Sequence, residues 1–329
     1  MDSTRHSGAG RIASVTQRTM SLFESGESNG TISLKGLFEG DCVDASTDLT
    51  MDGIVHAIVR GGWPIAVVRD SEDDDDPGYY ATEYLDAIYR DMSRLLYGEV
   101  ADDSEVGKRN HRNTPRDETV AMITRRLMAS ISRNLATSTS FNTIKNDVNA
   151  GSELASSPTL TKYKGALERL FILENLTAWN THVRSSASLK VASKWHFTDP
   201  SLAVAALNLG VQNLMNDYNA LGFFFESMCL RDLRVYVASL GGDVHHLRVN
   251  ENYEVDFIVS LRDGRWGAVE VKFGSFDYDR AAENLLNIGR YVDLEKVGEP
   301  SFRAILTGMP LGYTRKDGVH VVPVGCLRD

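Results

Sequence analysis

Three charged side chains interrupt two runs that otherwise read as buried strands. In "YEVDFIVSLRDGRWGAVEVK", residues 253–272, Asp256 precedes Phe-Ile-Val, and Glu270 and Lys272 flank a single valine. Burying a charge is costly unless it is paired or ligates a metal. Asp256 and Glu270 lie fourteen residues apart, on strands joined by one hairpin whose Asp263-Gly264 pair is a favoured turn. Both carboxylates can therefore reach the same edge. Lys272 follows Glu270 by two residues and shares its face of the strand. Two carboxylates at one point repel, and a hard divalent cation between them relieves the repulsion. Oxygen ligands of this kind favour Mg²⁺ or Mn²⁺. The main-chain carbonyl of Val271 is expected to complete the coordination, and the Lys272 ammonium to orient or activate a water. Metal plus positioned water suits hydrolysis of a phosphodiester, whose barrier is charge build-up on the phosphate. Glu226, just after Phe223-Phe224-Phe225 on the preceding helix, is the expected fourth member.

The elements that must hold these residues are legible in the pattern. A long helix spans 221–239, followed by strands at "VHHLRV", "EVDFIVSL" and "RWGAVEVKFG". A helix over 278–291 and a closing strand pair, "FRAILTG" and "VHVVPVG", complete an α/β half that opens near 190 with "KWHFTDPSLAVAALNLG", a strand, a turn and a small helix. Upstream the signals are helical. A short helix starts at Met51 and ends at Gly61-Gly62, and 80–97 keeps apolar residues at helical spacing. The acidic run Glu72–Asp76 before Pro77-Gly78 reads as a solvated loop.

Helices follow at 117–136, 140–148 and 158–174, the last with Ser157 as N-cap and Pro158 at its first position. Its apolar stripe is Leu160, Tyr163, Leu167, Leu170 and Phe171, and its other face carries Lys162, Gly165 and Arg169. Three helices and a strand-like "FILENLTAW" are the order of a winged helix-turn-helix, which can lay its last helix in the major groove of DNA. A helical linker domain packed on its neighbours has the same pattern. Between Lys108 and Arg133, seven basic residues stand against Asp117 and Glu118, an excess of +5 in a chain of net charge −10. Lys108, Arg109, Arg112, Arg125, Arg126, Lys162 and Arg169 are the candidate nucleic-acid contacts.

The spacing of Asp256, Glu270 and Lys272 resembles the core of PD-(D/E)xK nucleases, and the likeness is wider. "HFTDPSLA", "FESMCLRDLRVY", "EVDFIV" and "AVEVK" resemble the domain of unknown function 4143 that ends bacterial AAA-type ATP-binding proteins. "RHSGAGRI", "MSLFESGES" and "GGWP" resemble the end of the ATPase module in the same proteins. The resemblance implies a mixed α/β fold: a restriction-endonuclease-like sheet flanked by helices, preceded by a helical, winged helix-turn-helix-like domain. It divides the chain into an ATPase remnant at 1–100, the winged-helix-like part at 101–188 and the nuclease-like part at 189–329. It also implies that Asp256 and Glu270 hold the metal, that Lys272 serves the water and that Glu226 assists.

No GxxxxGK[ST] phosphate loop is present, so ATP is expected only where an upstream P-loop half is supplied, and no ATPase activity is expected of this chain alone. Arg11 in "GAGR" reads as a turn-and-surface residue. The 329 residues suggest two or three domains. Three distant cysteines, no apolar run long enough for a bilayer and no signal-peptide pattern suit a cytoplasmic protein. His245 and His246 point to opposite faces of a strand and cannot chelate one ion. His196, Trp63, Trp179 and Trp195 read as packing residues. Two readings of function remain: a metal-dependent DNA or RNA phosphodiesterase, or an inactive DNA- or protein-binding module on the same fold. The intact set of four favours chemistry, because a degenerate module would be expected to lose a member.

Overall fold

The structure, a computed structural model, describes residues 16–70, 76–97, 115–180, 192–250 and 253–329. From the first of these segments come β1 (Ile32–Ser33), α1 (Leu34–Glu39) and β2 (Asp44–Ser46), and then α2 (Met51–Arg60) and α3 (Pro64–Asp70). Thr50 caps α2, its side chain accepting from the Gly53 amide. The helix stops where expected because Gly61 turns to φ +77°. Gly62 then passes so close to Met20 that a Cβ on it would lie 2.0 Å from the Met20 carbonyl oxygen. The Met20 amide donates to the Gly62 carbonyl across this contact.

Next come α4 (Tyr79–Tyr97), α5 (Pro115–Arg133), α6 (Phe141–Val148) and α7 (Ser157–Arg169). The cap of α7 is Ser156 rather than Ser157, accepting from the Thr159 amide, with Pro158 in the first turn. The helix is also shorter than its stripe suggests. Phe171 turns to φ +57°, the Ile172 amide donates back to the Leu167 carbonyl, and Phe171 ends up exposed while Leu160, Tyr163 and Leu167 are buried. The chain after α7 runs extended. Leu173 bridges Phe197, Leu176 bridges Lys194, and Ala178 bridges His246 on the sheet.

Helices α8 (Pro200–Ala206) and α9 (Val211–Met215) lead to α10 (Tyr218–Ser239). There follow β3 (Asp243–Asn250), β4 (Tyr253–Ser260), β5 (Trp266–Lys272), α11 (Tyr278–Leu286) running into a 3₁₀ turn at Asn287–Arg290, and α12 (Leu294–Val297). Strands β6 (Phe302–Thr307), β7 (Leu311–Thr314), β8 (His320–Pro323) and β9 (Leu327–Arg328) end the chain. Seven strands form one mixed sheet in the order β2-β7-β8-β6-β5-β4-β3, and β1 pairs with β9 in a separate two-stranded ladder. The expected closing strand pair is refined here. β6 and β8 are parallel neighbours, while "LGYT" forms an unpredicted antiparallel strand on β8 that carries β2 at the edge.

Alternation along the strands sorts the two faces. Val269 and Val271 of β5 join one apolar cluster with Phe225 and Leu233 of α10. Trp266 and Ala268 join a second cluster with Ala281 and Leu285 of α11. The first cluster draws residues from Leu22 to Leu327 and includes the buried faces of α2, α4, α5 and α7. The helical and sheet segments therefore share one core.

Candidate active site

The β4–β5 ladder runs from Ser260↔Trp266 to Phe257↔Val269 and stops there. One step further in this register sets Asp256 across from Glu270. Where the ladder ends, the Val271 amide donates to Asp256 Oδ2 at 2.8 Å, so a side chain takes over from the neighbouring strand. Lys272 Nζ lies 2.9 Å from Glu270 Oε2 and 3.9 Å from Asp256 Oδ2. Asn284 of α11 donates to Glu270 Oε1 at 2.8 Å and to the Glu254 carbonyl at 2.7 Å. The hairpin corner is thus tied to α11 through one amide side chain.

Glu226 reaches the same place from α10. Asp217 caps that helix by accepting from the Ala220 amide, and the apolar residues Phe224 and Phe225 are buried beside Glu226. Glu226, Asp256, Glu270 and Lys272 all line one open cleft of about 720 Å³ between the sheet, α10, α11 and the loop after α5. All four expected site residues are thus gathered there. Val271 contributes its amide to Asp256 and packs its side chain into the core.

Three members went unread in the sequence. Lys194 is buried, its Nζ 2.7 Å from Glu254 Oε1, 3.0 Å from Glu226 Oε1 and 3.9 Å from Asp256 Oδ1. The two oxygens of Asp256 therefore face different lysines. Glu254 precedes Asp256 by two residues on the same strand, and that parity was a usable signal. Asn284 left none beyond its place on a helix. Lys194, one residue before Trp195-His196, showed only as a charge in a strand-like run.

Burial and crowding set the charges. Burial, then the Asp256 carboxylate, push Glu270 up to about 7 against the pull of Lys272 and Asn284. Burial likewise raises Glu226 to about 7, aided by Asp256 and Glu254 and opposed by Lys194. Burial disfavours the charge on Lys194, but Glu226, Asp256 and Glu254 outweigh it and hold its pKa above the ordinary lysine value. Lys272 is raised in the same way, burial being overcome by Asp256 and Glu270. His246, on the edge strand, is pressed down to about 4 by burial and by Lys194.

Among the described residues, no group of three or more His, Cys, Asp or Glu side chains is arranged to hold a metal ion. Asp256 and Glu270 still offer two hard oxygen donors, and the crowding that raises Glu270 is what a divalent cation relieves. In donor type the pair fits Mg²⁺ or Mn²⁺, with any further ligands coming from main chain or water.

The basic candidates lie elsewhere. Arg125 pairs with Asp86 at 3.4 Å and sits over the Tyr89 ring, while Arg126 donates to the carbonyls of Val148 and Ala150. Lys162 lies 3.9 Å over the Tyr97 ring, and Arg169 is exposed near the end of α7. None of these four lines the cleft. Lys108, Arg109, Arg112 and Arg11 lie outside the described residues, as does most of the acidic run 72–76. His196 is fully buried, as a core residue would be, with Nδ1 on Ser227 and no hydrogen-bond partner for Nε2 among the described residues, and burial holds it well below the usual histidine range. Trp63 donates to Ser201 Oγ, Trp195 to the Thr139 carbonyl, and Trp179 packs on Trp266.

The helix, hairpin and sheet that carry Glu226, Glu254, Asp256, Glu270 and Lys272 form a continuous segment with a counterpart among known families. Residues 221–327 match the domain of unknown function DUF4143. A second family, the domain of unknown function DUF8612, matches residues 51–213. Lys194 falls in the DUF8612 segment and its three carboxylate partners in the DUF4143 segment, so the charge cluster is assembled from both. No curated protein and no solved structure matches the chain. No helix among the described residues is long and apolar enough to cross a membrane.

Proposed function

We propose that the chain is a nuclease-like phosphodiesterase acting on DNA or RNA, with a PD-(D/E)xK core formed by the DUF4143 segment. The observation that carries this reading is the meeting of Asp256, Glu270 and Lys272 at the open end of one hairpin, with Glu226 alongside. The helices from 115 to 169 and the extended chain after them are read as a winged-helix-like module that guides nucleic acid. Residues 1–100 are read as the end of an AAA-type ATPase module, so ATP would act only through a P-loop half supplied from elsewhere.

Held by Asp256, Glu270 and the Val271 carbonyl, Mg²⁺ or Mn²⁺ would supply positive charge against that building on the phosphate. The residues of the chain do the rest. Asn284 and the Val271 amide fix one oxygen of each carboxylate, so the pair is oriented before substrate arrives. Lys272 carries donor protons at the carboxylate edge and can direct a water toward phosphorus. A carboxyl pushed up to about 7, as at Glu226, can hold or release a proton near neutral pH.

The test is cleavage of plasmid, single-stranded DNA and RNA in Mg²⁺ and in Mn²⁺, with Asp256→Ala and Lys272→Ala alongside. Wild-type cleavage that drops by roughly 10²-fold or more in either variant supports the reading. Equal cleavage by all three proteins, or none in any metal, ends it. A second reading, a binding module without chemistry, has one observation in its favour: the buried Lys194 ammonium already stands among three of the carboxylates as their shared counter-charge.

A further inference from the structure

Lys194 does not reach its carboxylates by chance of a flexible side chain. Its amide and carbonyl both pair with Leu176, each at 3.0 Å, and Leu176 lies two residues before the Ala178 bridge to the edge strand β3. The next residue, Trp195, is fixed to the loop after α5 at three points. The Trp195 amide donates to the Thr137 carbonyl, the Ala136 amide donates to the Trp195 carbonyl at 2.8 Å, and the indole N–H donates to Thr139. The backbone at Lys194 is therefore set by the sheet edge on one side and by the helices on the other. Its side chain, 4 % exposed, runs into the acidic end of the cleft.

We propose that Lys194 is the resident cation of this site and governs how tightly a divalent ion can enter it. The proposal rests on the nuclease-like reading only in taking Asp256 and Glu270 as the metal-holding pair. The ammonium stands 3.9 Å from Asp256 Oδ1. A dication joining Asp256 there meets a fixed positive charge at short range in a poorly solvated place, and like charges repel strongly under those conditions. Lys194 also occupies Glu226 and Glu254, which would otherwise add negative charge to attract the ion. Its removal takes away the opposing charge and leaves Glu226 and Glu254 without their ammonium partner. The DUF8612 segment thereby sets the cation affinity of a site built by the DUF4143 segment.

The experiment is calorimetric titration of Mn²⁺ into the full chain without nucleic acid, at mildly alkaline pH where protons compete least for the carboxylates. Wild type is compared with Lys194→Met, which keeps an apolar stem of similar length, with Lys194→Gln, and with Lys194→Met combined with Asp256→Asn. The expected result is binding at least about tenfold tighter in Lys194→Met and Lys194→Gln, lost again in the double variant. Equal or weaker binding in folded Lys194 variants overturns the proposal. So does failure of both single variants to fold, judged by circular dichroism, since Lys194 is then a structural clamp. Cleavage is measured separately on the same proteins. Tighter Mn²⁺ with no cleavage by any variant removes the nuclease reading and leaves this one standing. Wild-type cleavage with unchanged Mn²⁺ affinity does the reverse.

Discussion

At the residue scale, the cleft holds two carboxyl groups at pKa values that the unfolded chain would not give them. Glu226 and Glu270 stand near 7 when folded, against 4.5 as the ordinary value. Between those values the native state binds protons that the unfolded chain has released. The stability they contribute is therefore fully present below about 4.5 and is lost as pH rises through about 7. The midpoint of thermal unfolding should fall across this window, and Glu270→Gln should flatten the slope because it removes one titrating group. A midpoint that stays level over the same interval would show that Lys194 and Lys272 keep both carboxyls ionised in the folded chain. If the proposed cation site is right, saturating Mn²⁺ should act in the opposite sense to protons, stabilising most at the alkaline end, because a cation there competes with protons for the carboxylates.

At the scale of elements, the "GGWP" stretch shows how a short motif serves packing rather than chemistry. Gly61 ends α2 with a positive φ, and Gly62 lies against the Met20 backbone while its amide donates to the buried Asp199 at 2.9 Å. Asp199 in turn caps α8 and pairs with Arg231 of α10. A methyl group at Gly62 must push two backbone segments apart. Gly62→Ala should accordingly cost more than about 1 kcal/mol, read as a lowered urea midpoint with unchanged slope. The cost should fall on stability, with any Mn²⁺ affinity measured at low temperature left alone, since neither Gly62 nor Asp199 lines the cleft. The extended chain from 173 to 179 has a different task. By pairing with β3 it covers a sheet edge that would otherwise expose unpaired backbone groups.

At the scale of the whole molecule, α10 is the piece that the other parts grip. Arg231 is buried between Asp199 and Asp232, and Asp232 accepts from the Leu22 amide. Arg234 and Arg18 both pair with Glu174. These contacts join the first described segment, the chain after α7, α8 and α10 around one shared core. Arg231→Met would leave two buried aspartates without a cation, at a cost of roughly 3–5 kcal/mol. The expected observation is one cooperative unfolding transition at lower urea, coincident by fluorescence and circular dichroism. Two separated transitions in the wild type would mean that the DUF8612 and DUF4143 segments fold independently, contrary to the continuous core.

What the sequence determined by itself was local. Asp256, Glu270 and Lys272 were placed on one face because side-chain direction alternates along a strand and a two-strand hairpin admits few registers. Glu226 followed from its place on a helix with buried neighbours, and α2, α4, α5, α6 and α7 from apolar periodicity and caps, while α3 was not legible. Glu254 was within reach of the same parity argument. Only the tertiary structure decided that Lys194 enters the cleft, that Asn284 ties Glu270 to the backbone beneath Glu254, and that Arg125 and Arg126 spend their charge on Asp86 and on helix-end carbonyls. Each of these depends on which distant segment lies against which, and side-chain periodicity carries no information about that. The charges on the two strands of the hairpin thus form a cluster whose acids were readable from the hairpin, while the cation that meets them arrives from another part of the chain.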